Sequence, residues 1–152
     1  MMGAPNNSAW AADFLFVGRA MAARLAASVP ALRESLMVDE IEPTATRTRQ
    51  VPAALVMLHD QSPDGGGDGY SDVSVVRQQW LVFLVDKTGR NTADRGGEKV
   101  GPLLPQIVQC LHGWRVPGTS RNLAWAPGAP TPKYFQDGTV MFPLLFSTQF
   151  SV

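Results

Sequence analysis

The residues best equipped for chemistry are few: one cysteine, Cys110, and two histidines, His59 and His112, in a chain of 152 residues. A Cys-His nucleophilic pair is conceivable from these, because a thiol needs a neighbouring base to become the reactive thiolate. Yet Cys110 and His112 stand two apart in a predicted helix and point to different faces. Cys110 also flanks an apolar stripe, where a small buried thiol packs inertly. A hydrolytic serine would need the strand, sharp turn and helix of a Gly-x-Ser-x-Gly elbow, which the sequence lacks. Asp39, Glu40 and Glu42 cluster by sequence alone, and their alternation suits a wet edge better than a cleft holding paired carboxylates. Trp80, Trp114 and Trp125 could form an aromatic ligand platform, but tryptophans in a small domain serve more often as core or interface anchors. The glycine-rich stretch 61–72 carries Asp64, Asp68 and Asp72. Its spacing does not match a calcium loop, and no Gly-Lys-Ser/Thr follows to make a phosphate loop. The sequence therefore predicts no catalytic residue, no cofactor and no metal.

The bulk composition narrows the class further. At this length the chain is one domain able to bury roughly 70% of the surface its unfolded form exposes, without a metal or disulfide staple. Thirteen basic residues balance thirteen acidic ones, so no global field draws nucleic acid or a membrane, and the expected partners are proteins. A single cysteine excludes an internal disulfide and suits synthesis in a reducing cytoplasm. No run approaches the roughly 20 apolar residues of a membrane span, and the start lacks the charged opening of a secretory signal. Fourteen glycines and twelve prolines predict long ordered loops.

The elements that must position any surface are organised around residues 73–86. Val75, Arg77, Gln79, Leu81, Phe83 and Val85 fall on one face of this strand and Val76, Gln78, Trp80, Val82 and Leu84 on the other. Its second half is apolar on both sides and must be covered twice. Before it, residues 1–8 read as a flexible arm, and Ala9 to Ser28 as one helix with Phe14, Val17, Met21 and Leu25 in a stripe, ended by Pro30. Residues 35–49 read as irregular or weakly extended, Pro52 to His59 as a strand, and 61–72 as a hairpin tip. After it, Val100, Leu103, Leu104, Ile107, Val108 and Leu111 recur at helical spacing. Pro102 and Pro105 leave two solutions: a kinked helix over 93–112, which is preferred, or a helix whose first turn holds both prolines. Gly113 sits where a helix C-cap wants it. A short strand is expected at 123–127, and 133–152 as a hairpin whose Asp137-Gly138 turn demands positive φ angles, with Pro143 at an edge or bulge. The fold class is α/β (α+β), with residues 9–152 as one domain. A mixed or mostly antiparallel sheet of four to five strands packs against two helices. Its core includes Trp80, Leu81, Phe83, Leu103, Leu104, Ile107, Leu111, Phe142 and Phe146.

The order of these features carries a resemblance. A helix leaving through Val29-Pro30-Ala31-Leu32 is followed by a PAALV strand at 52–56, a glycine-rich loop and QQWLVFLVD at 78–86. A helix ending LHGW at 111–114 and YFQDGTVMFPLLFSTQF at 134–150 complete the series. In this the chain resembles the tail terminator (tail completion) proteins of long-tailed bacteriophages and related prophages, over most of residues 10–152. Its most specific parts are Gln78 to Trp80, the 101–114 segment and the last strand; the glycine-rich insertion and the prolines of the second helix depart from the pattern. The resemblance implies a structural virion protein, made in the host cytoplasm and ending at the head-proximal end of the tail. It implies a hexameric ring that caps the tail tube, stops its polymerisation and meets the head connector. Self, tube protein and connector are the implied partners, with no nucleic acid read by sequence and no membrane. The alternatives are another neck or tube component, a host adaptor domain of similar architecture, or a small cytosolic enzyme. The glycine-rich loop has a physical bearing here: ordering it costs entropy that an isolated domain gains nothing from, which points to a partner. Asp64, Asp68, Tyr70 and Asp72, with Lys87, Arg90 and Asn91 of the next loop, are the candidate subunit or tube contacts.

Overall fold

The computed structural model describes residues 9–39, 50–64, 75–87 and 100–152. Three long or short helical segments, α1 (Ala9–Ala12), α2 (Phe16–Ser28) and α3 (Leu103–Leu111), accompany six strands. The strands are β1 (Glu34–Met37), β2 (Ala53–Asp64), β3 (Val75–Lys87), β4 (Ala124–Ala126), β5 (Lys133–Tyr134) and β6 (Thr139–Ser151). β3 is interior, antiparallel to β2 on one side and to β6 on the other. β1 runs parallel to β2 at one end of the sheet, while β4 and β5 lie end to end along the far side of β6. The sheet is therefore mixed and open. It has more strands than expected because Glu34 to Met37, a stretch without strong alternation, is recruited as a parallel edge by β2.

The two faces of β3 are buried differently. Trp80, Val82 and Leu84 join Val17, Met21 and Leu25 of α2 and Leu103, Ile107 and Leu111 of α3 in the main core. Leu81, Phe83 and Val85 form a smaller cluster with Leu55, Met141 and Leu145, against which Ala126 and Phe135 pack. Phe146 is fully buried, whereas Leu104 and Phe142 are only half-buried at the rim of the main core. A buried polar network fixes where α2 meets the sheet. Gln78 accepts the Trp80 indole N–H at 2.9 Å, and its amide donates to the Phe14 carbonyl at 2.9 Å and to Gln61 Oε1 at 2.7 Å. With both ends of the Gln78 amide engaged, burying it carries little penalty. Gly18 then lies flat on the Trp80 ring: a Cβ there would come within 2.3 Å of Cζ3.

Four local expectations are corrected. The first helix is broken at Asp13, whose carboxylate accepts the Leu15 N–H at 2.9 Å and pairs with Arg19 Nε at 2.5 Å. A short acceptor side chain offers the backbone an alternative to the helical ladder, which starts afresh at Phe16. The Arg19 bond, followed by the Leu15 N–H, holds the Asp13 carboxyl below its ordinary range. The kinked helix is replaced, within the described residues, by one beginning at Leu103, with Pro102 as its N-cap and Pro105 in the first turn. Backbone N–H groups there have no intrahelical acceptor, so proline loses nothing. The hairpin turn is not a two-residue one. Phe135 and Thr139 close it through Phe135 N–H to Thr139 O at 2.8 Å, and of the intervening residues only Gly138 has a positive φ, at 90°. That is a type I turn followed by a left-handed glycine, which asks nothing unusual of Asp137. Lastly, β6 carries Pro143 without a bulge, in an unbroken register with β3. The carbonyls of Thr139 and Gln149 both face the β4 and β5 side, accepting from Phe135 and Ser120. Pro143 shares their parity, so its missing N–H falls in the gap between β5 and β4.

Gly18→Ala tests the α2 contact. Alanine is the better helix former by about 1 kcal/mol, yet overpacking against Trp80 is expected to leave a net loss of roughly 1–3 kcal/mol. Urea unfolding measures it, and equal or greater stability in the variant would show that α2 does not seat on the indole.

Candidate assembly surfaces

Because β3 is straight in register, its two ends define two separate surfaces. At one end β2 and β3 stay paired to Asp64 and Val75. Asp64 forms an ion pair with Arg77, Oδ2 to Nη2 at 2.9 Å, between side chains too exposed for it to add much stability. Asp68, Tyr70 and Asp72 lie outside the described residues. Phe14 and Val152 are exposed near this end, Phe14 resting edge-on against Phe150 with ring centres 5.6 Å apart. At the other end Lys87 pairs with Thr139, and its N–H donates to the buried Asp86 carboxylate at 2.7 Å. Arg90 and Asn91 are again outside the described residues. Twelve residues separate Val75 from Lys87, or roughly 40 Å of strand. The candidate contact residues thus belong to opposite ends of the sheet and cannot make one patch.

A cleft of about 460 Å³ opens on the hairpin half of the sheet, lined by Asp60, Ser62, Arg77, Gln79, Arg121 and Gln149 among others, with no histidine or cysteine. The residues best equipped for chemistry are dispersed around it. His59 sits at the register shift between Leu58 and Asp60 and is exposed. Cys110 is buried against α2, its Sγ 3.9 Å from the Arg24 carbonyl, while Arg24 Nε donates to the Cys110 carbonyl at 2.8 Å. His112 instead faces β4, its Nδ1 accepting the Trp125 N–H at 3.1 Å. The thiol and the imidazole therefore serve different packing contacts. The tryptophans are equally divided: Trp80 is in the core, Trp114 is half-buried with the Arg24 guanidinium 4.5 Å from its ring centre, and Trp125 is 55% exposed. Asp39 is exposed just beyond β1, and Glu40 and Glu42 fall outside the described residues. Among the described residues no three His, Cys, Asp or Glu side chains gather as a metal site, and no helix is long and apolar enough to cross a membrane.

The order of strands and the surfaces just described agree with a comparison against known families: the model of the phage tail terminator protein matches residues 11–152. The chain belongs to the phage tail terminator family. It is accordingly a structural protein of the tail and a component of the virion. Among solved structures, a chain from the virion of a native gene transfer agent particle is similar at 12% identity and a TM-score of 0.45, covering 87% of this chain and 84% of that one. No curated protein matches. Two exposed side chains of this terminator drew no attention in the sequence, Leu36 on β1 and Tyr134 on β5. Each sits in a short edge strand, where an apolar residue carries no sign of whether it faces inward.

His59→Ala and Cys110→Ala separate packing from reaction in the terminator. Each is expected to leave the yield of complete tails in a complementation assay unchanged. A variant that folds and joins the particle yet abolishes its function would reveal a reaction at that residue.

Proposed function

We propose that this terminator caps the finished tail tube as a ring of six copies, ends tube polymerisation and presents its other side to the head connector, with no catalytic step. Family membership over residues 11–152 carries the reading. The two-ended sheet supports it, because a subunit set between tube and connector needs two distinct surfaces held at a fixed separation, and β3 spans the sheet between the hairpin and Lys87. In this reading Asp64, Asp68, Tyr70 and Asp72 meet a neighbouring subunit or the tube at the hairpin end. Lys87, Arg90 and Asn91 act at the opposite end. Ring closure calls for a heterologous contact, in which one side of a copy meets a different side of the next.

Two measurements test the proposal. Imaging of particles that carry a labelled copy should find the label only at the head-proximal end of the tail, and label along the tube would make the chain a tube component instead. Shortening residues 65–69 to a two-residue turn should keep the melting temperature within a degree or two, because hairpin tips tolerate deletion when register is kept. The same variant should lose capture by purified tube protein in a pull-down. Equal capture would reduce the tip to an ordinary connection.

A further inference from the structure

The sheet ends on strands whose outer sides meet no other strand among the described residues: β1 at one end, β4 with β5 at the other. These two ends carry Leu36, Trp125 and Tyr134, three of the large hydrophobic side chains left exposed. Natural edge strands are commonly blunted by lysine, proline or inward-pointing charge. β4 reads Ala-Trp-Ala and has none of these, while β1 has Glu34 alone.

Backbone geometry says what each edge offers. Odd-numbered residues of β6 face β4 and β5, so Ala124 and Ala126, opposite Ser147 and Leu145, are used in that ladder. Trp125 and Tyr134 then present their peptide groups outward. The Trp125 N–H is held by His112, which leaves its carbonyl for the edge and fixes the strand beneath the exposed indole. Strand direction supplies the complement. β1 runs with β2 and β6, whereas β4 and β5 run against them. A second copy rotated about an axis along the strands keeps these directions, so its β1 meets β4 and β5 of the first in the antiparallel sense, the commoner pairing. Side chains fit as well. Trp125, opposite Phe146, lies on the helix-bearing face, where β1 offers Ser35 and Met37; Leu36, opposite Leu55, lies on the other face, where β4 offers only the methyls of Ala124 and Ala126. A chain of zero net charge also meets its own copy without overall repulsion.

We infer that successive copies of the terminator join head to tail, the β4–β5 edge of one against the β1 edge of the next, so that one sheet continues around the ring. The inference rests on the ring reading above and names the surfaces that close it. Leu36→Cys and Ala126→Cys, combined in a Cys110→Ala background, test it in assembled particles treated with a flexible bismaleimide. The double variant should give a ladder of cross-linked species extending past the dimer, because each copy then carries both halves of a repeating junction. Leu36→Cys alone and Ala126→Cys alone should give no ladder. Dimers only, or no cross-link, from particles that hold the protein at the head-proximal end would overturn this junction and leave the ring reading standing. Loss of the protein from that position would count against the ring reading itself, and wild-type location is scored in the same particles to separate the two. Trp125→Ala provides an independent reading: its melting temperature should hold, since the indole is more than half exposed, while its incorporation into particles falls at least several-fold. Undiminished incorporation would overturn the inference.

Discussion

The contact between Trp80 and α2 is the constraint on which the rest of the structure depends. An indole is too large to be buried by one element, and here it is enclosed from both sides of a polar device: Gln78 takes its N–H, and Gly18 accepts its ring where any side chain would collide. The same Gln78 holds the Phe14 carbonyl just before α2 begins. One residue on the strand thus sets the entry of the helix and another sets its depth. Once α2 is seated, Val17, Met21 and Leu25 cover β2 and β3, and Arg24 reaches α3 through the Cys110 carbonyl and the Trp114 ring. The helical layer is positioned from the strand outward. Apolar burial, at roughly 25 cal/mol per Å², supplies the stability, but the buried hydrogen bonds select which arrangement is stable.

That layering leaves the molecule unequal from side to side. The helix-bearing face is closed, while the opposite face has a small apolar cluster toward Lys87 and a polar cleft toward the hairpin. The division runs along β3 itself, since Leu81, Phe83 and Val85 belong to the apolar half and Arg77 and Gln79 to the polar half. A strand with this pattern can be covered in one part and solvated in the other without a change of face. It also lets β2 and β3 extend beyond the helices as a hairpin whose peptide groups remain paired to Asp64 and Val75.

Much of this was legible before any coordinates, and the failures have physical causes. Period two along 73–86 separates Trp80, Val82 and Leu84 from Leu81, Phe83 and Val85, the members of the two buried clusters. The stripe through Ile107 and Leu111 is equally plain, because helical spacing over three turns has few competing explanations. The start of α3 was misread because proline was weighed as a helix breaker without asking which turn it occupied. β1 was missed because four residues held by a parallel neighbour need no pattern of their own. The break at Asp13 and the form of the Asp137-Gly138 turn depend on single hydrogen bonds that composition does not encode. For the surfaces, proximity in sequence misled: Asp64 and Lys87 flank the same strand and so lie at opposite ends of it. Exposure of Leu36 and Tyr134 follows from which strands end the sheet, a property of the whole topology.

The two ends also differ in charge, and the difference limits how growth can stop. From residue 60 to residue 76 the chain has four aspartates and no lysine or arginine, whereas Lys87 to Lys99 carries four cations and two acids. The first run includes the β2–β3 connection and the second follows β3 away from its far end, so topology assigns them to opposite ends of the sheet. Such a gradient orients a subunit between unlike partners, and it weakens with salt for exposed charges separated by more than about 10 Å. By itself, however, it would also favour stacking one ring on another, acidic end to basic end. On the proposed reading the arrest of growth therefore has to come from shape: an end that accepts the tube must fail to accept a second terminator. A glycine-rich tip suits that task because its backbone can follow the surface of one partner closely, at an entropic cost that only a well-matched contact repays. Charge gives the ring its direction, and the fit of the hairpin decides what may follow it.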